Sequence, residues 1–281
     1  MAERGYFFVC GAPKSGTTWL QRLLDAHPQV HCSGEGNFIA KFSVPMAEVL
    51  RGYDRQLKAI ASAVYEGKPY YPPITQDDFD RLARGFILER LLSRNPGPEI
   101  LQVGDKTPRY ARELPSLLRL FPEARFINIL RDPRDVTMSR MHQARRTGHE
   151  DRVAEGSAAR TQFVSDSGKV WRDTVTAVAA FADANPGLLH TVRYEDMLAD
   201  PAGAARGIFQ FLGVRDDAAL AGQIVAATSF EAMSGRKPGE EHPTAFLRKG
   251  IAGDWVGKLE SEALAMIDQM CGDHMRAFGY A

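Results

Sequence analysis

The sequence predicts an α/β fold of three layers, with a central parallel sheet of about five strands flanked by helices. Short β-branched or aromatic runs alternate with longer segments of helical period, the pattern of a parallel sheet covered on both faces. The first of these runs passes directly into a glycine-bounded loop and then a helix, which makes the fold phosphate-loop-like. The length, 281 residues, allows roughly three quarters of the unfolded surface to be buried in one large domain. The whole chain, 1–281, is read as that single domain.

Strands are expected near 6–10, 29–32, 99–104, 125–130 and 188–193. Helices are expected over 17–26, 36–50, 77–94, 109–120, 133–147, 158–184, 202–212, 217–226 and 258–278. Gly67, Pro69, Pro72 and Pro73 mark 66–76 as a loop. Gly235, Pro238, Gly239 and Pro243 mark 233–247 as a longer, mobile one. In an open parallel sheet ligands bind beyond the carboxyl ends of the strands, so the chemistry belongs to residues that follow each strand.

Composition narrows the partners. Thirty-five basic residues balance 35 acidic ones, which argues against a nucleic-acid coat protein or a membrane-surface protein and leaves only local anion sites. Cys10, Cys32 and Cys271 are too few and too scattered for a disulfide framework or a zinc site, so a reduced cytoplasm fits best. The apolar run at Tyr6-Phe7-Phe8-Val9 is too short for a signal peptide, and no stretch has the length of a membrane span. A homodimer stays open, because no unpaired apolar helix identifies itself.

After Phe7-Phe8-Val9-Cys10, the segment Gly11-Ala-Pro-Lys14-Ser15-Gly16-Thr17-Thr18-Trp19 gathers backbone NH groups and a helix N-terminus around one point, as an anion cradle does. Its spacing departs from G-x-x-x-x-G-K-[ST]: Lys14 precedes Gly16 by two residues, and Thr17 stands where that lysine would be. The lysine and magnesium arrangement of nucleotide triphosphatases is therefore absent. A 5′-phosphate whose leaving oxygen is neutralised by lysine suits such a loop. An ordinary strand-to-helix turn with a capping threonine is the plainer alternative.

Two further basic elements follow. The stretch 125–146 carries six arginines against two aspartates, with Arg131 at a strand end and Ser139 two helical turns along, an arrangement able to fork onto a second phosphate. For Arg140, Arg145 and Arg146 a solvated helix face is as good a reading. Arg248-Lys249-Gly250-Ile-Ala-Gly253-Asp254-Trp255 lets backbone and two cations close over an anion, unless it is a surface turn between helices. With Trp19 and Phe230 as apolar plates, these elements make a footprint for an adenosine nucleotide with phosphates at both ends.

Pro13-Lys14-Ser15-Gly16-Thr17-Thr18-Trp19, Arg131 with Ser139, Tyr194-Glu195-Asp196, Thr228-Ser229-Phe230 and Arg248-Lys249-Gly250 through Trp255 resemble the sulfotransferase family, from about residue 6 to residue 255 and in the family's order. The resemblance implies that the first loop holds the 5′-phosphosulfate of 3′-phosphoadenosine 5′-phosphosulfate. It implies that Arg131 and Ser139, with Arg248, Lys249 and Gly250, hold the 3′-phosphate. Trp19 and Phe230 would sandwich adenine, and Thr228 and Tyr194 would bond near the base or the 3′-phosphate.

The proton acceptor differs between branches of that family. Cytosolic members place a histidine after a Lys-Thr pair, whereas here Asp105-Lys106-Thr107 continues into Pro108-Arg109. The segment Asp25 to Glu35 instead resembles the tyrosylprotein branch, in which a glutamate serves as base. Glu35 is thus the candidate base, with Lys14 neutralising the leaving oxygen and Lys106 steadying the sulfuryl oxygens. Glu35 as a helix cap, and Lys106 in a salt bridge with Asp105 or Glu35, are the competing readings. His27 reads as a structural hydrogen-bonder, while His31 and His142 stand in reserve for proton transfer.

No His, Cys, Asp and Glu set has metal-ligand spacing, so a metal-independent in-line transfer is expected. The acceptor, a small phenol, a lipid alcohol, a glycan or a peptide tyrosine, is left undetermined. A phosphate-loop kinase and a non-catalytic adenosine-bisphosphate-binding protein are the rivals from other classes.

Overall fold

The computed structural model describes residues 4–242, 245 and 247–280; Pro243, expected in the late loop, lies outside them. Phe7, Phe8, Val9 and Cys10 are completely buried in β1 (Gly5–Gly11). A strand covered on both faces carries an unbroken apolar run, and this one occupies the centre of the sheet. Around it stand β2 (Val30–Gly34), β3 (Gln102–Lys106), β4 (Arg125–Leu130) and β5 (Leu189–Arg193). Among the described residues they form one five-stranded parallel sheet in the order β2-β3-β1-β4-β5.

The helices are α1 (Thr17–Asp25), α2 (Val44–Val64), α3 (Gln76–Leu91), α4 (Leu114–Leu120), α5 (Pro133–Arg146), α6 (Ala158–Ala184), α7 (Tyr194–Ala199), α8 (Pro201–Leu212), α9 (Ala218–Ala227), α10 (Phe230–Ser234) and α11 (Ser261–Ala277). Because side chains alternate along a strand, Phe7 and Val9 face one layer and Phe8 and Cys10 the other. The first layer packs Leu20 and Leu24 of α1 and Phe209 of α8 on the sheet. The second packs Ile87 of α3, Leu117 of α4 and Phe181 of α6. A third cluster, centred on Trp171 with Met141 and Ile267, joins α5, α6 and α11. This is the expected three-layer fold.

Several elements differ from the sequence reading. The helix expected over 36–50 is a π-helical turn, Phe38–Ser43, continued by α2 to Val64. Pro45, in the first turn of α2, suits a helix start there because its missing NH is unneeded at that position. Of the residues of α2 only Ala61 is buried, while Val49 and Val64 are 70% and 65% exposed. Val49, Tyr53, Ile60 and Val64 thus leave apolar side chains exposed along α2, a feature that the sequence reading did not single out. The helix expected over 109–120 divides into a 3₁₀ turn, Pro108–Arg112, and α4. The short helices α7 and α10 were not anticipated, being too brief to show a period.

The third strand is shifted toward its carboxyl end. Lys106 is its last residue rather than lying two residues beyond it, paired with Val9 of β1 and Gly34 of β2. Asp105 and Lys106 look like loop residues by polarity, yet both are buried and partnered. From β1 the chain winds first to β2 and β3, then to β4 and β5 on the other side. The loops after β1 and β4 consequently part at one crevice, the place where such sheets bind ligands.

Candidate active site

The loop between β1 and α1 turns through Lys14 (φ 77°) and Gly16 (φ 97°). A Cβ on Gly16 would lie 2.6 Å from Cδ2 of Tyr194, so that residue must be glycine for space as well as for backbone angle. Gly16 is also the residue that precedes α1, and no side chain caps the helix. The capping role considered for threonine is not taken, and the first NH groups of α1 remain open to an anion. Ser15 is fully buried, and its Oγ has no hydrogen-bond partner in the protein; the buried Nε of Arg131 has none either. Burial, together with Arg146, Arg131 and Arg248 nearby, pushes the Lys14 ammonium down to about 8.

Arg131 leaves the end of β4 and crosses to the first loop. It donates to the Lys14 carbonyl (3.3 Å) and the Ile251 carbonyl (2.9 Å), and its guanidinium stacks 4.2 Å from the Tyr194 ring centre. Fully buried Asp135, one turn into α5, sits 3.6 Å from Arg131 and accepts the NH groups of Gly253 (2.8 Å) and Trp255 (3.2 Å). Burial pushes this carboxyl up, and the Arg131 charge opposes the push. One carboxylate thus fastens the late basic loop to the helix that carries Ser139. At Gly250 (φ 64°) a Cβ would lie 2.5 Å from the Phe230 ring, so loop and plate are in contact.

Arg248 and Lys249 share Asp254, with Lys249 at 3.1 Å, and Lys249 also lies 2.8 Å from Glu241. Burial would push the Asp254 carboxyl up, but hydrogen bonds from Lys258 and Arg248 hold it at about 2. The hydrogen bond to Glu241 holds the Lys249 ammonium well above its ordinary range.

These elements enclose a cavity of about 370 Å³. Lys14, Gly16, Thr17, Thr18 and Trp19 line it from the first loop, and Arg131, Ser139 and Tyr194 from the middle of the chain. Phe230, Arg248, Lys249 and Gly250 close it, and Glu35 stands on its wall. Ser15, Lys106 and Thr228 do not line it. Thr228 is buried at the end of α9, where its hydroxyl donates to the Ile224 carbonyl (2.8 Å). The sequence reading passed over Gln143, Leu198, Pro201 and Val225, which also line the cavity; Ser229 and Ile251, inside quoted motifs, line it with no role assigned to them. Gln143 follows Ser139 by four residues and so shares its helix face, a signal present in the sequence.

Glu35 follows β2 in a left-handed conformation (φ 50°). The register that pairs Gly34 with Lys106 sets its side chain against that lysine: Lys106 Nζ lies 2.6 Å from Oε1, and the Glu35 NH donates to the Lys106 carbonyl (2.7 Å). Glu35 caps no helix, since Asn37 precedes the π-helical turn and makes no side-chain cap. Of the histidines, His27 accepts the Gln29 NH at Nδ1 (3.0 Å), which makes its Nε2 the donor to the Arg215 carbonyl (2.8 Å). That is the structural role expected of it. His31 pairs with Asp25 at 3.2 Å and His142 faces Glu241 at 3.6 Å. Among the described residues no three His, Cys, Asp or Glu side chains come together as a metal cage.

A five-stranded parallel sheet whose central strand runs into a glycine-bounded loop, with further cations gathered on the same cavity, makes this an α/β protein with a phosphate-loop-like crevice. The sulfotransferase family model matches residues 7–218, and the chain belongs to the sulfotransferase family. A Caenorhabditis briggsae protein bearing the name protein-tyrosine sulfotransferase is 27% identical over 208 residues, covering 74% of this chain and 65% of its own length. The Arabidopsis thaliana cytosolic sulfotransferase 17 is 24% identical over 302 residues, covering 98% and 75%. The crystal structure of a mouse sulfotransferase complexed with PAP has a TM-score of 0.61 at 18% identity, covering 98% of this chain and 86% of that one, and shares the fold.

Proposed function

We propose that this chain transfers the sulfuryl group of 3′-phosphoadenosine 5′-phosphosulfate to a hydroxyl of its acceptor. The observation that carries the reading is the cavity into which three separate segments bring cations, Lys14, Arg131, Arg248 and Lys249, beside the rings of Trp19 and Phe230. The mouse structure, with PAP bound, supports an adenosine bisphosphate as the ligand type. The unpartnered Nε of Arg131, a residue that lines the cavity, fits it as well, since buried polar groups normally find partners and a phosphate supplies one.

In this reading Lys14 and the NH groups opening α1 hold the 5′ end, with Ser15 packed behind them as part of the loop. Arg131, Ser139, Arg248, Lys249 and Gly250 hold the 3′-phosphate. Trp19, Tyr194 and Phe230 surround the base. Thr228 acts from behind the wall, fixing the end of α9. Sulfuryl transfer breaks the bond from sulfur to the donor's phosphate oxygen and makes one to the acceptor oxygen, whose proton passes to Glu35. Lys14 neutralises the charge left on the phosphate oxygen, and Lys106 orients the Glu35 carboxylate. Positioning and charge supply the acceleration, as in phosphoryl transfer, and no metal is required.

The acceptor is a hydroxyl compound. Mus musculus protein-tyrosine sulfotransferase 1 and a cytosolic sulfotransferase are both among the relatives, so a tyrosyl peptide and a small molecule both belong in the test. Among the described residues no helix is long and apolar enough to cross a membrane, and a cytoplasmic location is part of the proposal. Adenosine 3′,5′-bisphosphate should raise the melting temperature more than ATP does, because ligand that binds only the folded state stabilises it. Labelled donor should then transfer sulfur to 2-naphthol, a primary alcohol or a tyrosyl peptide in the presence of EDTA. A larger shift with ATP, or activity lost to the chelator, would point to a kinase instead.

A further inference from the structure

Four successive backbone NH groups leave β2 and turn past Glu35, and each has its own acceptor. The Glu35 NH donates to the Lys106 carbonyl at 2.7 Å. The Gly36 NH reaches both carboxylate oxygens of Asp105, at 3.1 and 3.2 Å. The Asn37 NH donates to Thr107 Oγ1 and the Phe38 NH to Tyr110 Oη, each at 3.3 Å. These acceptors are joined to one another, because Thr107 Oγ1 donates to Asp105 Oδ1 at 2.9 Å and Tyr110 Oη donates to the same oxygen at 2.7 Å. A single carboxylate therefore turns the lone pairs of both hydroxyls toward the amides. Asp105, Thr107 and Tyr110 are all buried, and a satisfied buried network of this kind specifies one backbone path.

The path needs specifying. Glu35 and Asn37 both have left-handed angles, φ 50° and 49°; asparagine tolerates that region, whereas a glutamate adopts it only when its surroundings impose it. The imposing groups belong to β3 and the turn after it, and Lys106, the lysine that meets the Glu35 carboxylate, lies between Asp105 and Thr107.

We propose that Asp105, Thr107 and Tyr110 are positioning residues for Glu35, a cradle that holds the proton-accepting carboxylate on the cavity wall at a fixed offset from Lys106. The inference rests on the reading of Glu35 as the base. The phenol hydroxyl of Tyr110 then serves the reaction without touching any reactant, while its ring packs edge-on against Phe8 at 5.6 Å.

Tyr110→Phe keeps that ring and removes only the hydroxyl. Asp105→Asn puts an amide NH₂ among groups that need an acceptor. Hydrogen exchange should accelerate by about tenfold or more at residues 35–38 in both variants, with α1 unchanged. Turnover of labelled donor, with 2-naphthol, a primary alcohol and a tyrosyl peptide offered together, should lose about tenfold or more in kcat, with the bisphosphate Kd within about twofold of wild type. Combined with Glu35→Gln, neither substitution should reduce the rate further, since residues acting as a unit are not additive.

Unchanged exchange, an unchanged kcat, or a loss of kcat matched by equal loss of nucleotide affinity would each overturn the cradle. Full turnover in Glu35→Gln alone overturns the base reading instead. Loss in Glu35→Gln with full turnover in Tyr110→Phe overturns only the cradle. Should Asp105→Asn fail to fold, Tyr110→Phe carries the test.

Discussion

Lys106 Nζ and Glu35 Oε1 are 2.6 Å apart, an ion pair whose lysine is buried while its carboxylate is 58% exposed. The asymmetry suits a base: the anchored partner fixes the geometry, and the exposed one can meet an acceptor. It also makes the pair a weak contributor to stability, because solvent screens the exposed carboxylate. Glu35→Gln should therefore reduce kcat by about 10²–10⁴ with little change in melting temperature or in bisphosphate affinity. Single-turnover kinetics beside thermal unfolding check this, and a normal rate would assign proton removal elsewhere.

Lys14 gives a pH signature. Its ammonium is pushed down to about 8 from the ordinary 10.5, so between those values the unfolded chain binds more protons than the folded one. The contribution of this group to folding stability accordingly rises with pH across that window. A phosphate bound beside it favours the charged form again. Bisphosphate binding near pH 8 to 9 should thus take up protons, seen as a dependence of calorimetric enthalpy on buffer ionisation heat. Lys14→Met should abolish the uptake and lower the transfer rate by about a hundredfold or more. Proton release on binding would contradict the assignment.

Glu241 lies within 3.7 Å of Arg248 and 2.8 Å of Lys249, two cations assigned to the 3′-phosphate. A carboxylate there competes with the phosphate, and apparent affinity falls with the fraction of molecules so engaged. Glu241→Gln should tighten bisphosphate binding by about three- to tenfold, and Lys249→Gln should weaken it. Titration calorimetry at fixed ionic strength reads both, and weaker binding in Glu241→Gln would mean that the carboxylate helps to hold the nucleotide.

Gly16→Ala places a methyl 2.6 Å from the Tyr194 ring at a backbone angle of 97°. Both effects act against the loop, and a cost of about 1–3 kcal/mol is expected from the backbone alone. Denaturant unfolding should show that loss, and bisphosphate affinity should drop with it. A variant as stable as wild type would mean that the loop can relax away from Tyr194.

The basic and glycine-rich lining of the cavity was legible in the chain because its residues come in contiguous packets. Lys14 to Trp19 follows one strand, Arg131 with Ser139 follows another, and Arg248 to Gly250 forms a compact turn, so local chemistry names them without knowledge of the fold. Gly16 and Gly250 likewise proclaim their backbone angles by being glycine. The five strands were legible as apolar runs for the same reason, with β3 misplaced where buried Asp105 and Lys106 interrupt the run.

Only the tertiary structure decided how those packets meet. The register that pairs Gly34 with Lys106 brings residues 35 and 106 together, and no local pattern contains a separation of that kind. Asp135 under the late loop, and the carboxylate of Asp105 that accepts the Gly36 NH and the hydroxyls of Thr107 and Tyr110, are read in sequence as ordinary acids. Their meaning comes from burial, which removes water as a partner and makes each carboxylate answer to the few NH and OH groups packed around it. Periodicity and spacing record the backbone's own preferences. Which buried charge meets which donor depends on strand order and register, and these are set by the packing of the whole sheet.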